Sequence, residues 1–138
     1  MEILIGAGLA IGVSLAAGAA GFERERAFYP VALAVIGGLY DLFAVIGGSM
    51  SALGAETLGL IAFFSLAAVG YRTSLWLVAA GLVAHGLFDL VHPHLIDNPG
   101  VPRWWPGFCM AYDVVAGAIL AVALASGRLA ARRTPSAP

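Results

Sequence analysis

Five apolar runs, each close to the length that crosses a lipid bilayer, dominate this chain of 138 residues. The first extends from Ile3 to Gly21 and stops at Glu23-Arg24-Glu25-Arg26. The second runs from Ala27 to about Gly48 and the third from about Thr57 to Tyr71. The fourth covers Ser74 to about Val91, and the fifth covers about Gly107 to Ser126. A spanning helix takes roughly 20 residues, and none of these runs alternates as a membrane β-strand does. The third is short, so its span borrows Glu56 and Arg72, whose heads reach the interfaces. The expectation is an all-α, polytopic transmembrane bundle: one domain over residues 1–127 and a short cytoplasmic tail at 128–138.

Composition explains why water is the wrong solvent for most of this surface. Only 11% of residues are charged and 61% are hydrophobic, whereas soluble domains carry roughly a quarter charged residues. A net charge of −1 offers no basic stripe for nucleic acid. All seven basic residues are Arg, so no Lys is present to form a Schiff base. The single Cys109 leaves no intrachain disulfide and no CxxC motif. Nucleotide-binding loops, nucleophile triads and zinc-protease motifs are also missing from the sequence.

The arginines set an expected direction. With the N-terminus outside, Arg24, Arg26, Arg72, Arg128, Arg132 and Arg133 fall on the cytoplasmic side and only Arg103 falls outside, as the positive-inside rule asks. Residues 1–20 have the small-residue end of a cleavable signal, but their start carries Glu2 and no positive charge, so a retained helix is expected. Gly8, Gly12, Ala16 and Ala20 repeat at every fourth position, a face that lets another helix approach closely. It is a candidate surface for a homo-oligomer or a larger membrane complex. The outer loop from His92 to Pro106 contains Pro93, Pro99, Pro102 and Pro106 and is therefore stiff. Trp104 and Trp105 anchor it at headgroup level. The tail from Arg128 lacks periodicity and reads as a frayed end.

A short internal echo places the acids. Gly38-Leu39-Tyr40-Asp41-Leu42 recurs as Gly86-Leu87-Phe88-Asp89-Leu90, and Tyr112-Asp113 is a looser third copy. At about 1.5 Å per residue, Asp41, Asp89 and Asp113 lie in one slab roughly 5 to 10 Å to the outer side of the midplane. His85, Asp89 and His92 stand at i, i+4 and i+7, within a sector of about 60° on the fourth helix, the kind of stripe from which several side chains reach one metal ion. His94 lies just beyond Pro93, and Cys109, Tyr112 and Asp113 share a face of the fifth helix.

Intramembrane acids are costly and usually face an interior or a pathway. Two unit charges about 5 Å apart repel by about 3 kcal/mol at an effective dielectric of 20. Three carboxylates in one pocket therefore need a cation, shared protons or paired histidinium. The first expectation is a divalent transition-metal site (zinc, iron, manganese or copper) held by His85, Asp89, His92, Asp113 and Asp41. Its surrounding layer would comprise His94, Glu56, Tyr40, Tyr112 and Cys109. Such a protein acts on a lipid-soluble substrate. Two alternatives remain open: a metal-free acid/base or proton- or cation-coupled transport site, and a structural accessory subunit. Each Asp also has a plain role available, bonding a neighbouring helix to hold the bundle together.

Two segments carry a resemblance. Glu23-Arg24-Glu25-Arg26-Ala27-Phe28-Tyr29-Pro30, and the loop Asn98-Pro99-Gly100-Val101-Pro102-Arg103-Trp104-Trp105-Pro106-Gly107-Phe108-Cys109, resemble a group of uncharacterised bacterial multi-pass integral-membrane proteins. The likeness covers nearly the whole chain. It implies a bacterial inner-membrane location and brings no activity. The Asp/His cluster also distantly resembles the copper sites of membrane monooxygenase subunits, but order and spacing differ and no residue role is carried over.

Overall fold

A computed structural model describes residues 1–131, and these are all helix and connection, with no strand among them. Helix α1 is Glu2–Ala20. Gly21 closes it at φ 83°, donating its N–H to the Gly18 carbonyl, a left-handed position that favours glycine. A 3-10 turn at Phe22–Arg24 leads into α2 (Phe28–Gly37) and α3 (Leu39–Ile46), which form one span broken at Gly38. Helix α4 is Met50–Arg72, α5 is Leu75–Leu95 and α6 is Trp105–Ala125. Among the described residues, five helical spans are long and apolar enough to cross a membrane.

Two boundaries differ from the sequence reading. Helix α4 begins at Met50, not near Thr57, because the Ser49 hydroxyl caps it by accepting the Ala52 N–H at 3.2 Å. Glu56 thus sits well inside the helix and is buried, rather than reaching toward an interface. Helix α5 continues through Pro93 to Leu95. Proline is tolerated in this last turn, at the cost of the N–H that would serve the Asp89 carbonyl.

Helix α6 lies between α1 and α5, while α4 packs on α5 and on the broken α2–α3 span. The buried face of α1 is Gly6, Ala10, Ser14 and Ala17. A Cβ at Gly6 would strike the Phe108 backbone, which is how closely α6 approaches. The face of Gly8, Gly12, Ala16 and Ala20 points outward, and a Cβ on Gly8 or Gly12 meets nothing within 4 Å.

The arginine end of the bundle is tied together through backbone carbonyls. Arg26 donates to Tyr71, Ala130 and Ala131, and the Leu75 N–H also reaches the Ala131 carbonyl at 2.9 Å. The first tail residues are thus held by hydrogen bonds rather than frayed. The rest of the expected tail, including Arg132 and Arg133, lies outside the described residues.

Helix α5 shows how the interior is divided. Its inward stripe reads Leu75, Val78, Leu82, His85, Asp89, His92, spaced alternately three and four apart, and every one of these is buried. Toward the arginine end the stripe joins Leu33, Leu120 and Leu124 in an apolar core. From the middle of the helix onward the same stripe is polar. One face of one helix therefore crosses from grease to chemistry.

Candidate metal centre

Gly86 sets the distance between the two helices that carry most of the site. A Cβ there would lie 3.0 Å from the Met110 carbonyl oxygen and 3.3 Å from Asp113 Cβ, so α6 rests almost directly on α5. This contact brings Asp113 to His85: His85 Nδ1 is 2.7 Å from Asp113 Oδ2 and 3.6 Å from Asp89 Oδ2. Cys109, one turn before Asp113 on α6, places Sγ 3.7 Å from the same Asp113 oxygen. Donor atoms of His85, Asp89, Cys109 and Asp113 all lie within 4.8 Å of one another, and all four residues are buried. Together they form a group able to hold a metal ion.

Each acid in this group keeps one oxygen unanswered. Asp89 Oδ1 accepts the Tyr40 hydroxyl at 2.7 Å, but Oδ2 has no hydrogen-bond partner. Asp113 Oδ2 faces His85, and Oδ1 has none. Buried polar atoms are ordinarily satisfied, so two orphaned carboxylate oxygens beside one imidazole are placed to take a cation or a proton. Ionised carboxylates whose donor oxygens lie no more than 4.8 Å apart repel by about 3.5 kcal/mol or more at an effective dielectric of 20. A single histidinium cannot neutralise both.

The spacings can be tested against coordination geometry. Tetrahedral ligation with bonds of about 2.0 to 2.3 Å sets neighbouring donors roughly 3.3 to 3.8 Å apart. The 3.6 Å and 3.7 Å separations fall in that range, but the atoms they involve, His85 Nδ1 and Asp113 Oδ2, are themselves joined at 2.7 Å, so an ion enters by opening that contact or through their other atoms. The 2.7 Å His85–Asp113 separation is a hydrogen-bond distance instead. For Asp113, the unpartnered Oδ1 is the oxygen left free for an ion.

His92 belongs to a second, adjoining arrangement. Its Nε2 is 2.8 Å from Glu56 Oε1, and the same oxygen accepts Asn98 Nδ2 at 2.9 Å. Asn98 also donates to the Tyr40 carbonyl at 3.0 Å and accepts the Gly100 N–H at 3.2 Å. The loop segment around Asn98 is thereby stitched over the polar end of the bundle. Its backbone docks tightly: a Cβ at Gly100 would collide with the Phe43 carbonyl, and one at Gly47 would lie 2.5 Å from the Gly100 nitrogen. Tyr40 joins the two arrangements. Its hydroxyl holds Asp89 while its ring stacks on His92 with centroids 3.8 Å apart.

Asp41 does not meet Asp89 and Asp113. Its Oδ1 accepts the Thr57 hydroxyl at 2.7 Å, and its Oδ2 is buried without a partner. The reason is angular: neighbours on an α-helix point about 100° apart. In α3 it is Tyr40 that faces inward, so Asp41 turns toward α4. In the echoing α5 segment the order is reversed, with Asp89 fully buried and Phe88 half-buried. Repeated letters carry different faces inward. His94 is exposed, and Tyr112 is half-buried beside Val31, Val35 and Ile36.

Asn98 and Thr57, which bond Glu56 and Asp41, were not singled out in the sequence. Their only signals were an Asn-Pro-Gly turn inside a stiff loop and a hydroxyl beside a buried acid. Phe63 sets its ring edge against His85 at a centroid distance of 4.6 Å, and it too was unmarked in the sequence. The chain matches no family model, no curated protein and no solved structure, so the geometry alone carries the functional argument.

Proposed function

We propose that this chain is a membrane-embedded metalloprotein whose divalent ion is held by His85, Asp89 and Asp113, with Cys109 alongside. The observation that carries this reading is the pair of orphaned carboxylate oxygens, Asp89 Oδ2 and Asp113 Oδ1, beside one imidazole inside an apolar bundle. An ion with neutral histidine and ionised acids removes both the orphaned lone pairs and the repulsion between carboxylates. Mixed nitrogen and oxygen donors suit zinc, iron, manganese or copper. The rings of Phe63 and Phe88 lie over His85 and are themselves only half-buried. That apolar approach favours a lipid-soluble substrate. The reading includes a bacterial inner-membrane location with the N-terminus outside and the C-terminus inside, an orientation the arginine distribution supports, and with it the centre belongs to the outer half of the membrane.

Elemental measurement on purified protein never exposed to a chelator tests the proposal. One divalent transition-metal ion per chain is expected, and loss of it in His85→Ala and Asp89→Ala. Folded wild type without metal, still without it after incubation with zinc, iron, manganese and copper salts, would refute it.

A second reading draws on the 2.7 Å contact between His85 and Asp113, which is a proton-sharing distance. In that reading the same residues form a metal-free acid/base or cation-coupled transport site. It requires loss of function on Asp→Asn substitution at position 89 or 113 in protein that carries no metal. Function that survives both substitutions excludes it.

A further inference from the structure

Cys109 is the one donor of the group whose chemistry is not oxygen or imidazole, and it discriminates between metals. It is buried at the start of α6, one turn from Asp113, with Sγ 3.7 Å from Asp113 Oδ2. Its sulfur is one of four donor atoms, from His85, Asp89, Cys109 and Asp113, that lie within 4.8 Å of one another. The independent pointer to a ligand is on the opposing helix: Asp89 is fully buried, and its Oδ2 has no hydrogen-bond partner, with His85 Nδ1 3.6 Å away.

We infer that Cys109 binds the ion as a thiolate, completing a four-donor shell of one nitrogen, two oxygens and one sulfur, and that this shell favours zinc(II) over manganese(II). The inference rests on the metal reading proposed above. Ions that favour all-oxygen octahedra, such as magnesium and manganese, gain nothing from a thiolate. Copper(II) and nickel(II) favour tetragonal arrangements, whereas zinc(II) accepts a tetrahedral mixed set without geometric penalty. As the sulfur–metal bond forms, the thiol proton leaves to solvent, and the ion, two carboxylates, thiolate and neutral imidazole carry a net charge of −1.

Cobalt(II) reports this directly, because it replaces zinc and shows a thiolate-to-metal charge-transfer band in the near ultraviolet. The full chain in detergent, titrated with cobalt(II), is expected to bind one ion with that band and the intense visible bands of a tetrahedral site. Cys109→Ser should retain cobalt binding, lose the charge-transfer band, and bind zinc at least about tenfold more weakly, with its preference for zinc over manganese reduced. Cys109→Ala provides the same comparison if the serine variant does not fold. A wild-type protein that binds one cobalt(II) without the charge-transfer band overturns the thiolate while leaving the metal reading standing. So does a cysteine variant with an unchanged spectrum. Failure of wild type to bind either zinc or cobalt overturns both.

Discussion

Tyr40 and Asp89, on different helices, share a 2.7 Å hydrogen bond in which the phenol donates to a carboxylate that is wholly buried. The bond uses Asp89 Oδ1 and so leaves Oδ2 as the oxygen directed at the His85 group. Tyr40 thereby acts as an orienting residue for a site it does not enter.

Tyr40→Phe should consequently destabilise the fold by about 1.5 to 3 kcal/mol, the usual value of a hydrogen bond to a charged group. Metal affinity should fall about 10- to 100-fold, as is usual when a ligand loses its orienting partner. Thermal unfolding in detergent and zinc titration measure the two effects. Unchanged values in both would mean that Asp89 is held in place by packing alone.

Glu56 Oε1 accepts from both His92 and Asn98. Glu56→Gln retains an oxygen able to accept the same two bonds and should be tolerated. Glu56→Ala strands two buried donors and should cost about 3 kcal/mol or more. Hydrogen exchange over residues 96–104 should rise sharply in the alanine variant and little in the glutamine variant. Equal behaviour of the two would show that Asn98 does not secure the loop.

The glycines of α1 offer a paired test. Gly6→Ala forces a methyl into the Phe108 backbone, and overpacking of this kind costs about 1 to 3 kcal/mol. Gly8→Ala adds a methyl where nothing lies within 4 Å, and the gain in helix propensity should leave stability equal or higher. Comparable losses in the two variants would indicate that a second molecule covers the Gly8 face.

Metal and fold should be thermodynamically linked. Zinc at about 100 times its dissociation constant is expected to stabilise the protein by about 2.7 kcal/mol. Asp113→Asn should abolish that gain while remaining folded, because Asn can still hydrogen-bond His85. Scanning unfolding with and without zinc measures both. Equal zinc stabilisation in wild type and Asp113→Asn would place the ion elsewhere.

Much of the candidate site was legible before any coordinates. His85 and Asp89 stand one turn apart on α5, and a helix of fixed period makes such neighbours share a face wherever it packs. Glu56 and His92 were also marked, but their pairing spans 36 residues and two helices. No local period reports a contact of that kind. Asp41 shows the same limit from the other side: its letters repeat those around Asp89, yet its carboxylate serves Thr57.

The amino-acid sequence by itself determined five helices long and apolar enough to cross a membrane and which side chains are expensive to bury, because hydrophobicity and helical period are properties of short segments. Tertiary structure alone decided which partner each expensive group receives. A helix can be rotated about its axis without changing a single local preference, and only its packing against Gly86, Gly6 and the Asn98 loop selects the rotation. That selection gathers two aspartates, a histidine and a cysteine at one point and sends a third aspartate, Asp41, to a threonine.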